Sequence, residues 1–215
     1  MLSERKKPGP GRPPKDRDLD AEKNLRDAAI RAFAEKGYDA VSIRELAGRA
    51  GLSLSVLYYY YRSKRDLLRA VLVDSIDHYF QQHEALMSTA TADPVDRLSK
   101  FVEGSVRYRI DSQVESQLML TATRDLGEEW ERFGDDATSR TNRDLGGIIQ
   151  HGINQQLFHT PYPSEARRSI IAMCNSIAFW YQPGRELSTD DIVTRHVHLA
   201  LATVEYAPAH GRDDK

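Results

Sequence analysis

The stretch from Ser42 to Lys64, SIRELAGRAGLSLSVLYYYYRSK, constrains the fold more than any other part of the chain. Ser42 followed by Glu45 is a capping box, so a helix is expected to begin at Ser42. Leu46, Ala47 and Ala50 give that helix an apolar side. Gly51 stops it, because glycine accepts the left-handed backbone that a sharp turn needs. Ser53 caps a second short helix through the tyrosines. Two short helices joined by a glycine turn make a helix-turn-helix, whose second helix lies in the major groove of DNA. At about 100° per residue, Leu57 and Tyr61 point inward, Ser55 and Tyr59 outward, and Val56 and Tyr58 to the flanks. The outward face is polar and aromatic, with no acidic group, and suits a polyanion. Four consecutive tyrosines equally suit a strand or an aromatic core. The capped helix before them and the Ser63-Lys64-Arg65-Asp66 cap after them decide for helix.

At these residues the chain resembles the TetR family of bacterial transcriptional regulators. The resemblance covers the family's N-terminal module, from about Leu19 to Leu68, and its most specific part is LYYYYRSKRDLL. It implies that the Ser42 hydroxyl holds a phosphate, that Tyr58 and Tyr60 contact backbone or bases, and that Ser55 and Tyr59 read bases. Lys64 matches the family's phosphate-binding lysine. Arg44, Ser53 and Val56 complete the expected DNA-facing set. Two positions depart from the pattern. Val56 stands where the family usually has Thr or Ser, which removes one hydroxyl contact, and Leu54 stands where a polar residue is common.

The charge is segregated to match. Residues 1–69 carry 16 Lys and Arg against 10 Asp and Glu, and residues 70–215 carry 14 against 22. A basic head on an acidic body implies nucleic-acid binding at one end. The 40% apolar content is adequate for a helical core. A single cysteine, Cys174, excludes an internal disulfide framework and fits a reducing cytoplasm. No stretch has the apolar length of a membrane span, and no signal-peptide core stands at the N-terminus. A cytoplasmic protein is the expectation.

Residues 1–18 are rich in Pro, Gly and positive charge and are expected to form a flexible basic arm. Its Gly11-Arg12-Pro13 resembles the core of an AT-hook, which would place Arg12 in a narrow minor groove; a tail touching phosphates non-specifically is the alternative. Residues 19–68 are expected to form the DNA-binding domain. Its first helix buries Leu25, Ala28, Ala29, Ala32 and Phe33 and ends at Gly37. Ser63 and Asp66 cap a fourth helix reaching about Met87. Residues 69–207 read as helices throughout, with a tail at 208–215. One helix opens at Asp93-Pro94, one spans Val114 to Leu126 and breaks at Gly127, and one runs from Glu128 to about Gln156. Ser164 is expected to cap a helix ending near Trp180, and Ser188 with Asp191 to cap the last. The fold class is all-α, with nine or ten helices. Small residues along the last two helices (Ala172, Cys174, Ser176, Ala178, Ala200, Ala202, Thr203) suit close helix approach. The resemblance implies that this pair meets its copy in a homodimer; a monomer's core is the alternative.

No residue pattern supports catalysis. His196 and His198 are two apart and His78 and His83 five apart, spacings poor for chelation, so no metal and no cofactor is expected. No nucleophile elbow or phosphate-binding glycine loop is present. In TetR-like proteins the helices after the fourth enclose an effector pocket. Candidate lining residues here are Phe80, Phe101, Tyr108, Met119, Thr123, Trp130, Phe133, Ile149 and Phe179, with Arg124 and Asn175 as polar groups on apolar faces that need partners. The segment FWYQPGRELSTDDI resembles a subgroup answering to acyl-CoA thioesters, although Gln182 replaces its usual arginine. The chain therefore reads as a regulator, most simply a repressor released from a palindromic operator by an apolar effector. An effector-independent architectural DNA-binding protein and a helical-bundle enzyme are the rival classes.

Overall fold

The computed structural model describes residues 15–121, 128–184 and 187–208, with the backbone alone for residues 15–18 and 128–135. Nine helices lie among the described residues: α1 (Lys15–Lys36), α2 (Ile43–Arg49), α3 (Leu54–Tyr60), α4 (Lys64–Met87), α5 (Pro94–Asp111), α6 (Gln113–Thr121), α7 (Glu128–Asn154), α8 (Pro163–Trp180) and α9 (Thr189–Thr203). The one β-pairing among them is an isolated bridge between Phe158 and Tyr206. No helix among the described residues is long and apolar enough to cross a membrane. The chain divides into two compact units, with the boundary between Leu68 and Arg69, inside α4.

In the first unit, α2 packs on α1 and α3 on α2. Leu25, Ala28, Ala29, Ala32 and Phe33 form one buried stripe of α1, closed by Leu46, Ala47 and Leu57. Gly37 (φ 78°) and Gly51 (φ 69°) make the two turns in the left-handed region, where a side chain would be strained. α1 starts at Lys15, so the last residues assigned to the arm are helical. Nothing after Pro14 breaks the helix, and a helix tolerates proline ahead of its first turn. Arg12 lies outside the described residues.

In the second unit α5 is central, lying against α6, α7, α8 and α9. It is buried on nearly all sides, through Leu98, Phe101, Val102, Val106, Tyr108 and Ile110, as a helix surrounded by others must be. The Asp93 carboxylate caps it by accepting from the Val95 amide, with Pro94 in the first turn. Ser188 and Asp191 form a reciprocal capping box at α9. The loop after α7 is tied to the end of α9, where the amides of His159 and Thr160 donate to the Val204 carbonyl.

Several expected boundaries change. Ser164 does not cap α8: the cap position is Tyr162, without a side-chain bond, because Pro163 already occupies the first helical position. The box at α2 forms by half. Ser42 accepts from the Glu45 amide, but the Glu45 carboxylate is held by Lys36 and Arg49 instead. α7 ends at Asn154, two residues early, where Gln156 adopts φ 58°. The expected continuation from α6 to Leu126 and the break at Gly127 lie outside the described residues.

Candidate functional site

The first unit builds a protruding aromatic face. Leu57 and Tyr61 anchor α3 in the core, leaving Tyr59 at 70% and Tyr58 at 52% exposure. Ser55 is also exposed, Val56 and Tyr60 are half-buried, and Tyr60 meets Tyr59 edge-on with ring centroids 5.0 Å apart. Ser53 caps α3 by accepting from the Val56 amide at 3.3 Å. Ser42 and Ser53 act as cap acceptors, which leaves their hydroxyl protons unused by the caps, and Arg44 is exposed on α2.

The orientation of α3 is set by a polar clamp at its end. The Arg26 Nε donates to the Tyr61 hydroxyl at 2.7 Å, and that hydroxyl donates to Glu22 at 3.1 Å. Burial raises the Tyr61 pKa, which keeps the phenol protonated for the second bond. On α2, Arg49 bonds Glu35 and Glu45, and Lys36 bonds Glu45. The Lys36 hydrogen bond is the main cause holding the Glu45 carboxyl below its ordinary range.

Lys64 is placed differently from a free surface lysine. Its Nζ donates to the carbonyls of Tyr38 and Val41 at 2.8 and 2.9 Å. Two of its three N–H groups thus hold the α1–α2 turn.

The second unit contains a cavity of about 190 Å³. Of the expected lining residues, Phe80, Phe101, Met119 and Asn175 are on its wall. Three are not. Tyr108 lies beneath the wall, fully buried, donating to the Ser75 carbonyl at 2.7 Å. Ile149 belongs to the apolar core around α5. Phe179 faces outward at 56% exposure, because Cys174 and Ala178 occupy the inward face of α8 and its neighbour falls on the other side. Thr123 and Arg124 lie outside the described residues, as do the side chains of Trp130 and Phe133.

Sequence reasoning missed Arg109. It lines the cavity at 6% exposure, and burial lowers its pKa. The signal was its spacing: Phe101, Ser105 and Arg109 recur every four residues on one row of α5, so an arginine sits in register with core. Cys174, also on the wall, has its thiol pushed up to about 12 by burial and behaves as a small apolar residue. No cluster of metal-ligating residues occurs among the described residues.

The small-residue stripe also divides. Cys174, Ala178 and Ala200 are buried within the chain, whereas Ala172, Ser176 and Ala202 remain exposed beside Phe179, Trp180 and Leu199. Residues two apart on a helix point to nearly opposite sides, so the stripe was two faces.

Two family models match. Residues 25–71 match the bacterial regulatory proteins of the tetR family, and residues 91–204 match the tetracyclin repressor-like C-terminal domain. The HTH-type transcriptional repressor KstR2 of Mycolicibacterium smegmatis is 24% identical over 180 residues, 82% of this chain and 86% of that protein. A tetR-family regulatory protein from Rhodococcus RHA1 superposes with a TM-score of 0.80 at 26% identity, covering 87% of this chain and 98% of that one. AibR, solved with isovaleryl coenzyme A and operator DNA, shares the fold at a TM-score of 0.76 and 21% identity, covering 83% and 97%. With a helix-turn-helix unit and a helical body each matched to the corresponding part, the chain belongs to the TetR family of transcriptional regulators.

Proposed function

We propose that the chain is a homodimeric repressor that holds a palindromic operator and releases it when the acyl group of a small effector, an acyl-CoA thioester or its acid, enters the cavity. The observation that carries the reading is the α3 face, where Ser55, Tyr58 and Tyr59 stand clear of a core that fixes Leu57 and Tyr61. A rigid helix with exposed aromatic and hydroxyl groups is a reading head. Two heads per assembly fit half-sites about 34–36 Å apart. The exposed Phe179, Trp180 and Leu199 on the last two helices supply an apolar face for a second copy.

Release requires the effector to bind the DNA-incompetent state more tightly than the competent one. A swing from 1:99 to 99:1 takes about 5.5 kcal/mol of such preference. α4 contains both Lys64 and the cavity residues Ile76, Tyr79 and Phe80. An effector that displaces those side chains therefore acts on the helix that opens at Lys64. The repressor name of KstR2 and the ligand and DNA of AibR support the class, and the apolar wall of the cavity supports the effector.

Footprinting of the full chain over promoter DNA, against random competitor and with and without acyl-CoA thioesters, tests the reading, together with sedimentation. A dimer protecting a palindrome and released by a thioester is expected. Sequence-independent binding that ignores every thioester would return the chain to the architectural class.

A further inference from the structure

Arg109 poses a problem that the fold alone does not answer. Its guanidinium is buried, yet its three hydrogen bonds all go to neutral oxygens: twice to Asn175 Oδ1, at 3.3 and 2.8 Å, and once to Ser116 Oγ at 3.3 Å. It also lies against the rings of Tyr79 and Tyr108, 5.3 and 5.6 Å away. Burial raises the pKa of both phenols, so neither supplies negative charge. No described carboxylate pairs with it. A guanidinium has five N–H groups, so two are left over. A buried cation without a counter-charge is costly and is normally paired.

The cavity borders this guanidinium. Arg109, Asn175 and Ser105 are all on its wall. Asn175 turns its oxygen to Arg109, which directs its amide N–H groups away from the guanidinium. The rest of the wall is largely apolar, including Ile76, Phe80, Phe101, Met119 and Ile171. A cavity of 150 Å³ holds benzene, so this one, near 190 Å³, takes a body of about six to eight heavy atoms. One arginine fork in apolar walls matches the paired oxygens of a carboxylate or a carbonyl oxygen; a phosphate would bring more charge than one arginine can offset.

We infer that the cavity binds a short acyl compound, its carboxylate or thioester carbonyl docked on Arg109 and Asn175 and its hydrocarbon body against Phe80, Phe101 and Met119. The inference rests on the effector reading above and specifies which atoms of the effector are recognised.

Calorimetry on the full chain tests it with three matched sets: hexanoate and benzoate, their coenzyme A thioesters, and hexan-1-ol and benzyl alcohol. The acids or the thioesters should bind at least about 10-fold more tightly than the alcohols. Tighter free acid identifies the carboxylate as the ligand group, and tighter thioester identifies the carbonyl. Arg109→Gln should abolish the preference, and Arg109→Lys should restore part of it for the acids. The acid-against-alcohol comparison on the unaltered protein stands even if a variant fails to fold. Equal binding of alcohols, unchanged affinity in Arg109→Gln, or no binding by any acid or thioester overturns the inference. Operator footprints separate it from the effector reading. Acids that bind through Arg109 yet leave the operator protected uphold the site and sink the effector role. A compound that releases the operator equally from the unaltered protein and from Arg109→Gln does the reverse.

Discussion

The Lys64 ammonium stands 4.1 Å above the Tyr38 ring while donating to the Tyr38 carbonyl at 2.8 Å, so one lysine grips one tyrosine by both backbone and ring. The turn that presents α2 is thus held from the first residue of α4. Charged donors to carbonyls contribute about 1.5–3 kcal/mol each when buried, and less here, where solvent screens the half-buried Lys64. Lys64→Ala should lower the unfolding free energy of the first unit by about 1–3 kcal/mol, read from urea unfolding. The remaining N–H should also make a phosphate contact, so the slope of log K against log salt should shrink by about 0.9. Lost stability with an unaltered slope would confine Lys64 to bracing.

Tyr59 should behave in the opposite way. It is among the most exposed large side chains, so Tyr59→Ala should leave the melting temperature unchanged. It should redistribute affinity among operator variants by about 1–3 kcal/mol at the base it reads. Equal weakening on every sequence, in a competition assay, would mean that it touches only the backbone.

Two glycines of α7 should respond to alanine with opposite signs. A Cβ on Gly152 would meet the Phe158 ring at 2.0 Å, whereas one on Gly147 meets nothing within 4 Å. Gly147→Ala should stabilise by about 0.5–1 kcal/mol, the helix preference for alanine. Gly152→Ala should destabilise by about 1–3 kcal/mol or more, because Phe158 is fully buried and cannot retreat. Thermal unfolding of the pair measures the difference.

His83 should make the second unit acid-sensitive. It is buried, with Nε2 3.2 Å from the Phe101 carbonyl. Burial is the main cause lowering its pKa from the ordinary 6.5, with Arg140 adding to it and the Phe101 carbonyl, Asp144 and Glu84 opposing. A depressed histidine is neutral in the fold and protonates more readily in the unfolded chain. Its contribution is therefore complete above about pH 6.5 and is lost as pH falls toward the lower folded value. Unfolding midpoints should drop between pH 7 and pH 5, and His83→Gln should flatten that drop. An equal slope in the variant would assign the effect to carboxylates.

Local signals were legible where a single residue decides the backbone. Gly37 and Gly51 take positive φ, and Ser42, Ser53, Ser63, Asp93 and Ser188 accept the amides they were expected to cap. Ser164 misled because a proline one residue earlier had already started the helix. The inward placement of Leu57 and Tyr61 was equally readable, since both follow from one short helix and its period.

By itself, the sequence determined that this chain is helical, where most of its capped helices begin, and that its head carries an outward tyrosine face. These are properties of neighbours along the chain, set by backbone preference, capping and the 3.6-residue period. Only the tertiary structure decided that Arg109 is buried against a cavity, that Phe179 faces out, and that Lys64 is spent largely on two carbonyls. Each depends on what a distant segment places opposite: Asn175 before Arg109, the wall of α5 against the inner face of α8, the α1–α2 turn before Lys64. A helix's period says which residues share a face, and packing alone says what that face meets.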